Sequence, residues 1–263
     1  MATESILFER RDGVGWVTLN RPEAMNSLNP QLIREFDQAL TAAEEDPEVR
    51  VLVVTGAGRG FCAGADLKYV GGEIANSFDE SLLAFLREIG AVFDRLEALP
   101  LPTIAAVNGL ALAGGLELVL CCDLVVAAES AKLGDAHANY GLLPGGGGSI
   151  RLPRKIGPTR AKALLYTGEF LPAEELRACG LVNQVVPLDR LFGAVEQLAA
   201  SISRKSPLGL RHMKELVAVA EDCDLVEGLK QERAAFAEYA QSEDIREGLA
   251  AFKEKRSPHF AGR

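Results

Sequence analysis

Basic residues are in the minority in this 263-residue chain. Lysine and arginine together number 28 against 37 aspartate and glutamate residues, which gives a formal net charge of −9. Proteins that bind nucleic acid or anionic membranes without a specific pocket rely on clustered cations to contact phosphates. The composition therefore argues against that class of protein, while it leaves room for a small basic pocket that recognises one anionic ligand.

Long apolar runs and paired cysteines are also missing. No stretch approaches the ~20 apolar residues that span a bilayer, and the first residues lack the basic-then-apolar order of a targeting signal. We therefore expect a soluble, cytoplasmic protein. The five cysteines are an odd number without a Cys-x-x-Cys pair, so the sequence predicts neither a disulfide framework nor a zinc site.

What the sequence does contain is a long segment, residues 102–121, in which Glu117 stands out as a lone carboxylate. Residues 104–107 are typical of a buried strand, and Gly114-Gly115 of a helix start that carries Glu117 in its first turn. Uncovered backbone N–H groups at the positive end of a helix suit an oxygen that gains negative charge during a reaction. With a carboxylate beside them, these N–H groups would supply electrophilic stabilisation of the oxygen, and the carboxylate would supply a base. The alternative is ordinary dipole complementarity and close helix packing.

A second segment of small residues, residues 56–66, follows a strand predicted over residues 51–55. Its glycines favour a loop that presents further backbone amides near the first set. The segment comes close to a dinucleotide-binding fingerprint. Phe61 stands where Gly-x-Gly-x-x-Gly needs a glycine, however, and Cys62 stands where the related Thr-Gly-x-x-x-Gly-x-Gly pattern needs one. We therefore do not expect a nicotinamide site.

Hydrophobic periodicity predicts most of the remaining elements. Strand patterns predict a hairpin over residues 6–9 and 14–19 and a buried strand over residues 124–127, and the glycines at 145–148 favour an ordered nest or helix start rather than a linker. From residue 158 onward we expect helix almost to the end. Helical periodicity covers residues 30–45, 82–96, 149–156, 160–166, 173–179, 188–203, 208–219, 225–240 and 244–255.

Three motifs in order carry a family resemblance: Arg-Gly-Phe-Cys-Ala-Gly-Ala-Asp-Leu at 59–67, Ala-Val-Asn-Gly-Leu-Ala-Leu-Ala-Gly-Gly-Leu-Glu at 106–117 and Gly-Leu-Leu-Pro-Gly-Gly-Gly-Gly-Ser at 141–149. They resemble the enoyl-CoA hydratase/isomerase (crotonase) family. The resemblance implies an α/β fold, a spiral of ββα repeats followed by helices that build trimers, often paired into hexamers. Strand and helix signals alternate before residue 200 and only helix follows. We therefore predict a core over residues 1–200 and an oligomerisation segment over residues 201–263.

The resemblance also implies thioester chemistry through an enolate-like state, with the backbone amides of Ala63 and Gly114 as the oxyanion donors. Glu117 matches the first of two glutamates that hydratases of this family place around one water, but His137 stands where the second belongs. Three interpretations stay open, since histidine exchanges protons near neutral pH. His137 replaces the second glutamate, or it supports a different reaction with Glu117 as the sole carboxylate, or it is structural and Asp135 reaches the site instead.

The reaction that the resemblance favours is addition of water to a 2-enoyl-CoA, or its reverse. The alternatives are isomerase, acyl-CoA hydrolase or lyase activity, and acyl-CoA binding without turnover. Coenzyme A enters as part of the substrate, and we expect no separate cofactor, no metal and no nucleic-acid or membrane partner. The acyl pocket is expected in residues 68–90 and the helical tail. The residues implied to contact CoA are Arg21, Ala24, Ala65, Asp66, Leu67, Lys253 and Phe260. For the loop at 21–26, the alternative is a polar cap on the following helix.

Overall fold

Two β-sheets run through the part of the chain that the computed structural model describes, residues 4–72 and 78–263. The larger sheet contains, in spatial order, Ile6–Arg11 (β1), Val14–Leu19 (β2), Val51–Gly56 (β3), Thr103–Val107 (β5), Leu124–Ala128 (β7) and Gln184–Val186 (β10). The smaller sheet contains Gly60–Cys62 (β4), Leu110–Leu112 (β6), Lys132–Gly134 (β8) and Leu171–Pro172 (β9). The pairs β1–β2 and β8–β9 are antiparallel, and the other neighbours are parallel.

Helices cover both sheets and form the end of the chain. In chain order they are Pro30–Glu45 (α1), Leu67–Gly72 (α2), Phe78–Glu97 (α3), Gly114–Leu120 (α4), Gly148–Ile156 (α5), Pro158–Thr167 (α6), Ala173–Ala178 (α7), Leu191–Ser203 (α8), Pro207–Ala220 (α9), Leu225–Tyr239 (α10) and Glu243–Glu254 (α11). Within the described ranges, none of these helices combines the length and apolar character needed to cross a membrane.

Successive strands divide between the two sheets. β3, β5 and β7 lie in the larger sheet, while the strands that follow them, β4, β6 and β8, lie in the smaller one. β3 and β5 are buried at every position, as expected for parallel strands covered on both faces. Asn108, in the turn after β5, donates through Nδ2 to the carbonyls of Gly56 (2.9 Å) and Gly58 (3.0 Å) and so joins one turn of the spiral to the next. The predicted α/β spiral of ββα repeats is confirmed.

An ion pair is among the contacts that join the tail to this core. Lys214 of α9 donates to Asp123 Oδ2 (2.9 Å) and to the carbonyl of Leu101 (3.1 Å). The same Asp123 oxygen accepts from the backbone and hydroxyl of Thr103, so Asp123 has a structural role. The predicted boundary at residue 200 falls in the last turn of α8, which packs against the larger sheet.

Most predicted elements lie where the periodicity places them, including the hairpin and α1. The prediction of helix alone after residue 158 was wrong, because β9 and β10 lie there at sheet edges. Strands of two and three residues are too short to show a period-two pattern. β6 was also missed for this reason. The region expected to line the acyl chain, residues 68–90, includes residues 73–77, which lie outside the described residues.

Candidate active site

A buried carboxylate, that of Glu117 in the first turn of α4, is the centre of the site. Only 3% of this residue is exposed. Its Oε1 accepts the backbone N–H groups of Gly146 and Gly148, both at 2.8 Å. A Cβ atom on Gly146 would lie 2.7 Å from Glu117 Oε2, so the close approach requires glycine there. The glycine loop, residues 145–148, is therefore an ordered nest, as predicted, and its ligand is the carboxylate of Glu117.

The pKa of Glu117 is set by opposing effects. Burial raises it, because the charged form loses water. The amides of Gly148 and Gly146 and the nearby His137 lower it, whereas Asp135 raises it further. The sum leaves the Glu117 pKa above its usual 4.5. A carboxylate of this kind is a stronger base than a solvated one and remains held by two donors.

His137 and Asp135 form a hydrogen-bonded pair beside this carboxylate. Asp135 follows β8, Ala136 adopts the left-handed conformation (φ 59°), and His137 begins a short 3-10 helix. His137 Nδ1 lies 3.0 Å from Asp135 Oδ1. The Asp135 side chain is 1% exposed and that of His137 13%. The geometry favours Asp135 as the support and His137 as the member with access to the site, because the carboxylate holds Nδ1–H and leaves Nε2 for other contacts.

The charges around His137 favour its imidazolium form. Burial lowers the pKa of His137, but the hydrogen bond and charge of Asp135 and the charge of Glu117 outweigh that effect. The His137 pKa therefore lies above its usual 6.5. Asp135 Oδ2 is buried and lacks a hydrogen-bond partner within the described chain. The site thus contains a carboxylate and an imidazole that both have raised pKa values.

One of the two predicted oxyanion donors was wrong. The Ala63 amide donates to the carbonyl of Met25 at 3.0 Å and is not available to a ligand. The amide in this segment that is free and lies beside Gly114 belongs to Ala65. Leu28 donates to Gly64 and accepts from Asp66, both at 2.8 Å, and this bridge leaves the Ala65 N–H outside the pairing.

The second predicted donor, Gly114, lies next to Ala65. Neither amide has a hydrogen-bond acceptor within the described ranges of the chain. A Cβ atom on Gly114 would lie 3.7 Å from the nitrogen of Ala65, and one on Gly64 would lie 3.2 Å from the nitrogen of Gly114. Ala113, at the start of α4, adopts φ 50° and ψ −119°, a backbone conformation that is costly for a residue with a side chain. The conformation of Ala113 orients the first amide of α4, that of Gly114, toward the amide of Ala65.

The residues implied to contact CoA fall into two groups. Arg21 and Asp66 pair at 2.9 Å, and Arg21 also donates to the carbonyl of Ser27 at 2.6 Å. Ala24 lies in the same loop as Arg21, and Ala65 and Leu67 flank Asp66, so the structure brings these five residues together. Lys253 and Phe260 form the second group. A Cβ atom on Gly248 of α11 would lie 3.7 Å from the Phe260 ring, and the Phe260 carbonyl accepts from Arg50. Among the described residues no hydrogen bond links Lys253 or Phe260 to the first group.

Sequence reasoning missed the partners of the functional side chains more than the side chains themselves. It predicted an ordered glycine nest but not that Glu117 is its ligand. It named the amide of Ala63 as an oxyanion donor and Ala65 only as a CoA contact, because the carbonyl that occupies the Ala63 amide belongs to Met25 in a distant segment. Asp135 was considered only as a competitor of His137, although its position two residues away was a signal for a supporting pair.

Two free amides beside a buried carboxylate and a histidine, on a ββα spiral, define an enzyme class that stabilises an oxyanion while it moves protons. The enoyl-CoA hydratase/isomerase model matches residues 9–263. The probable enoyl-CoA hydratase echA8 of Mycobacterium bovis is 43% identical, with 100% of both chains covered. The crotonyl-CoA hydratase of Syntrophomonas wolfei is 40% identical, with 99% of both covered. The crystal structure of enoyl-CoA hydratase from Bacillus anthracis superposes with a TM-score of 0.93 at 41% identity, covering 98% of this chain and 100% of that one. The chain belongs to the enoyl-CoA hydratase/isomerase family.

The pair of Asp135 and His137 predicts an unusual histidine titration. We expect NMR to find the His137 pKa above 6.5 in the unmodified protein. In Asp135→Asn the His137 pKa should fall, because the charge that favours imidazolium is gone while burial remains. His259 lies in the tail, away from Asp135, and is the internal reference. An unchanged His137 titration in Asp135→Asn would contradict the assignment of Asp135 as its support.

Proposed function

We propose that this chain adds water to the double bond of a 2-enoyl-CoA, or catalyses the reverse reaction. The observation that carries the proposal is the pairing of Glu117 and His137, two side chains that can exchange protons, next to the free amides of Ala65 and Gly114. The names of the relatives support the same reaction. A cytoplasmic location remains a prediction from the sequence.

In this proposal the two amides bind the thioester oxygen of the substrate. Negative charge accumulates on that oxygen as water attacks C3, and fixed donors stabilise it most when the charge is largest. Ala65 and Gly114 supply backbone N–H groups, which need no reorganisation during the step. The electron pair of the double bond moves toward C2 and the thioester, so the intermediate is an enolate.

The protons are moved by the two side chains. The Glu117 carboxylate takes a proton from the attacking water, and the His137 imidazolium donates one from Nε2 to C2. The elements of water are thereby added, with OH on C3 and H on C2. Turnover requires an ionised Glu117 and a protonated His137, so it should be lost below the Glu117 pKa and above the His137 pKa. Two carriers with these roles favour hydration over isomerisation, in which one base suffices to move a proton along the acyl chain.

Recognition of the CoA moiety is assigned to the loop of Arg21 and Ala24 and to the adjoining Ala65, Asp66 and Leu67. Arg21 is paired with Asp66, so its charge is partly compensated before any ligand binds. Lys253 and Phe260 remain candidates from the resemblance, and no cofactor other than CoA as part of the substrate is proposed.

We further propose a homotrimer, or a pair of trimers, built by the helical tail. α9 and α10 enclose an apolar groove of ≈ 590 Å³, lined in part by Met213, Leu216 and Phe236. Met213 is 63% exposed and Phe236 62%. Apolar surface of this extent is typical of a protein interface. The trimeric symmetry comes from the family resemblance.

Substitution of the two proton carriers tests the reaction. Glu117→Gln keeps the shape of the side chain and removes the base, so we expect hydration of crotonyl-CoA to fall by about 10²–10⁴-fold with CoA-thioester affinity nearly unchanged. His137→Ala should lose on the order of a hundredfold or more. Glu129→Gln, which alters an exposed glutamate, is the control and should retain full turnover.

The other outcomes identify the alternatives. His137→Glu restores the usual family pair and should raise hydration above that of His137→Ala. Full turnover in His137→Ala with loss in Asp135→Asn would transfer the second role to Asp135. Substrate binding without turnover on any enoyl-CoA would favour a non-catalytic acyl-CoA-binding protein, and release of free CoA or a shifted double bond would favour a hydrolase or an isomerase.

Phosphate recognition can be tested with dephospho-CoA. If Arg21 or Lys253 contacts the 3′-phosphate of CoA, dephospho-CoA should bind on the order of tenfold more weakly, since a charge-assisted contact contributes about 1.5–3 kcal/mol. Arg21→Met and Lys253→Met identify which cation is responsible by removing the difference between the two ligands. Isothermal titration calorimetry measures both affinities, and equal affinities in the unmodified protein would contradict a phosphate contact at either residue.

The apolar tail predicts self-association that a charge can disrupt. Sedimentation equilibrium at micromolar concentration should give a trimer or a hexamer for the unmodified chain. Phe236→Glu should shift the mass toward a monomer, because it buries a charge in the proposed interface. Tyr166 is an exposed residue of α6, and Tyr166→Glu should leave the mass unchanged. A monomeric mass for the unmodified chain would contradict the proposal.

A further inference from the structure

We propose that Arg151 is a positioning residue that holds the glycine loop, residues 145–148, in the conformation that fixes the Glu117 carboxylate. Arg151 lies in α5, immediately after the loop, and does not contact Glu117 in the structure. The effect on turnover rests on the proposed function, whereas the effect on the loop does not.

The guanidinium of Arg151 uses all three of its nitrogens. Nη1 donates to the carbonyl of Gly146 at 2.9 Å, Nε donates to Glu97 at 2.9 Å, and Nη2 donates to Asp94 at 2.6 Å. The Arg151 side chain is only 14% exposed. Since Asp94 and Glu97 lie at the end of α3, one side chain connects that helix, the loop and α5.

Gly146 is the residue at which this connection meets the site. Its carbonyl accepts from Arg151 and its N–H donates to Glu117. The two contacts fix both backbone polar groups of one residue, and with them the orientation of its peptide planes. A shift of Gly146 therefore changes the donor geometry at Glu117 directly.

The glycine loop needs a contact from outside because its own residues do little to restrict its conformation. Four consecutive glycines have no side chains to pack, and each has a large conformational freedom to lose. Gly147 adopts φ 101°, and a Cβ atom there would lie 2.0 Å from Arg151 Nη1. The guanidinium thus occupies the space that a side chain on residue 147 would take, and it confines the loop from outside.

Loss of the support has a defined consequence for Glu117. With looser amides at Gly146 and Gly148, two interactions that favour the carboxylate weaken, so the Glu117 pKa should rise. The other charged groups that act on Glu117 are His137 and Asp135, and neither contacts Arg151. The acid limb of the pH–rate profile should therefore move to higher pH while the alkaline limb, set by His137, stays in place.

The matched variants are Arg151→Met, Arg151→Lys and Arg154→Met. Arg151→Met removes the three donors and retains an unbranched side chain. Arg151→Lys keeps the charge, but a single ammonium cannot reproduce the planar fork. Arg154 lies one turn further along α5 and pairs with Glu221 and Asp222 outside the loop, so Arg154→Met controls for the loss of a paired arginine.

The first readout is amide hydrogen exchange in protein labelled with ¹⁵N-glycine. In Arg151→Met the Gly146 and Gly148 amides should exchange on the order of tenfold faster or more, because the bonds to Glu117 open more often. The exchange rates of these amides in Arg151→Lys should lie between those of Arg151→Met and the unmodified protein, and the rates in Arg154→Met should match the unmodified protein. The amide of Gly209 in α9, which donates a hydrogen bond to the Ser206 hydroxyl before that helix, is the internal reference. Unchanged exchange at Gly146 and Gly148 in Arg151→Met would overturn the proposal.

The second readout is turnover of crotonyl-CoA across pH. Arg151→Met should lower kcat by about ten- to a hundredfold, the scale of a misplaced catalytic group, with KM little changed and the acid limb at higher pH. A merely structural ion pair would lower stability without moving that limb, and this result would overturn the proposal. If the unmodified chain does not hydrate crotonyl-CoA, the proposed function fails, yet the exchange measurement still decides the role of Arg151.

Discussion

The bond between the glycine loop and Glu117 is the contact on which the rest of the site depends. An ionised carboxylate that is almost fully removed from water is costly unless fixed donors replace the solvent. Two backbone N–H groups on one oxygen meet part of that cost, and no backbone group of residues 4–72 or 78–263 donates to the second oxygen of Glu117. The carboxylate is thereby stabilised and oriented, and it still keeps a raised pKa. Side-chain donors would do the same less rigidly, since they carry their own rotamer freedom.

This dependence explains why small residues crowd the site. Backbone amides act only where the chain approaches closely, and a Cβ atom on Gly115 would lie 2.0 Å from the carbonyl of Cys62. The two sheets bring the loop after β4 and the start of α4 side by side, which sets the free amides of Ala65 and Gly114 next to each other. The ββα repeat thus positions the site directly, because the loops that follow β4, β6 and β8 all lie at the same edge of the smaller sheet.

The sequence predicted the fold and the acidic residue well for a physical reason. Buried parallel strands and amphipathic helices leave periodic patterns, and a lone carboxylate in an apolar segment such as that of Glu117 is conspicuous. The choice between the amides of Ala63 and Ala65 left no such pattern, because it depends on whether the Met25 carbonyl already occupies one of them. Arg151 left no pattern either, and Asp135 was named only as an alternative to His137, since the importance of both lies in what they contact rather than in their type.

In the proposed reaction His137 takes the role of the second glutamate, and this changes how the site obtains its acid. Two neighbouring carboxylates repel, and one of them donates a proton only if the other forces its pKa upward. An imidazolium beside Glu117 attracts that carboxylate instead, so acid and base each favour the charged form of the other. Burial lowers the pKa of His137, and the hydrogen bond and charge of Asp135 oppose that effect. Under the proposed function, Asp135 is therefore the residue that allows histidine to supply the acid, and the three side chains form one electrostatic unit.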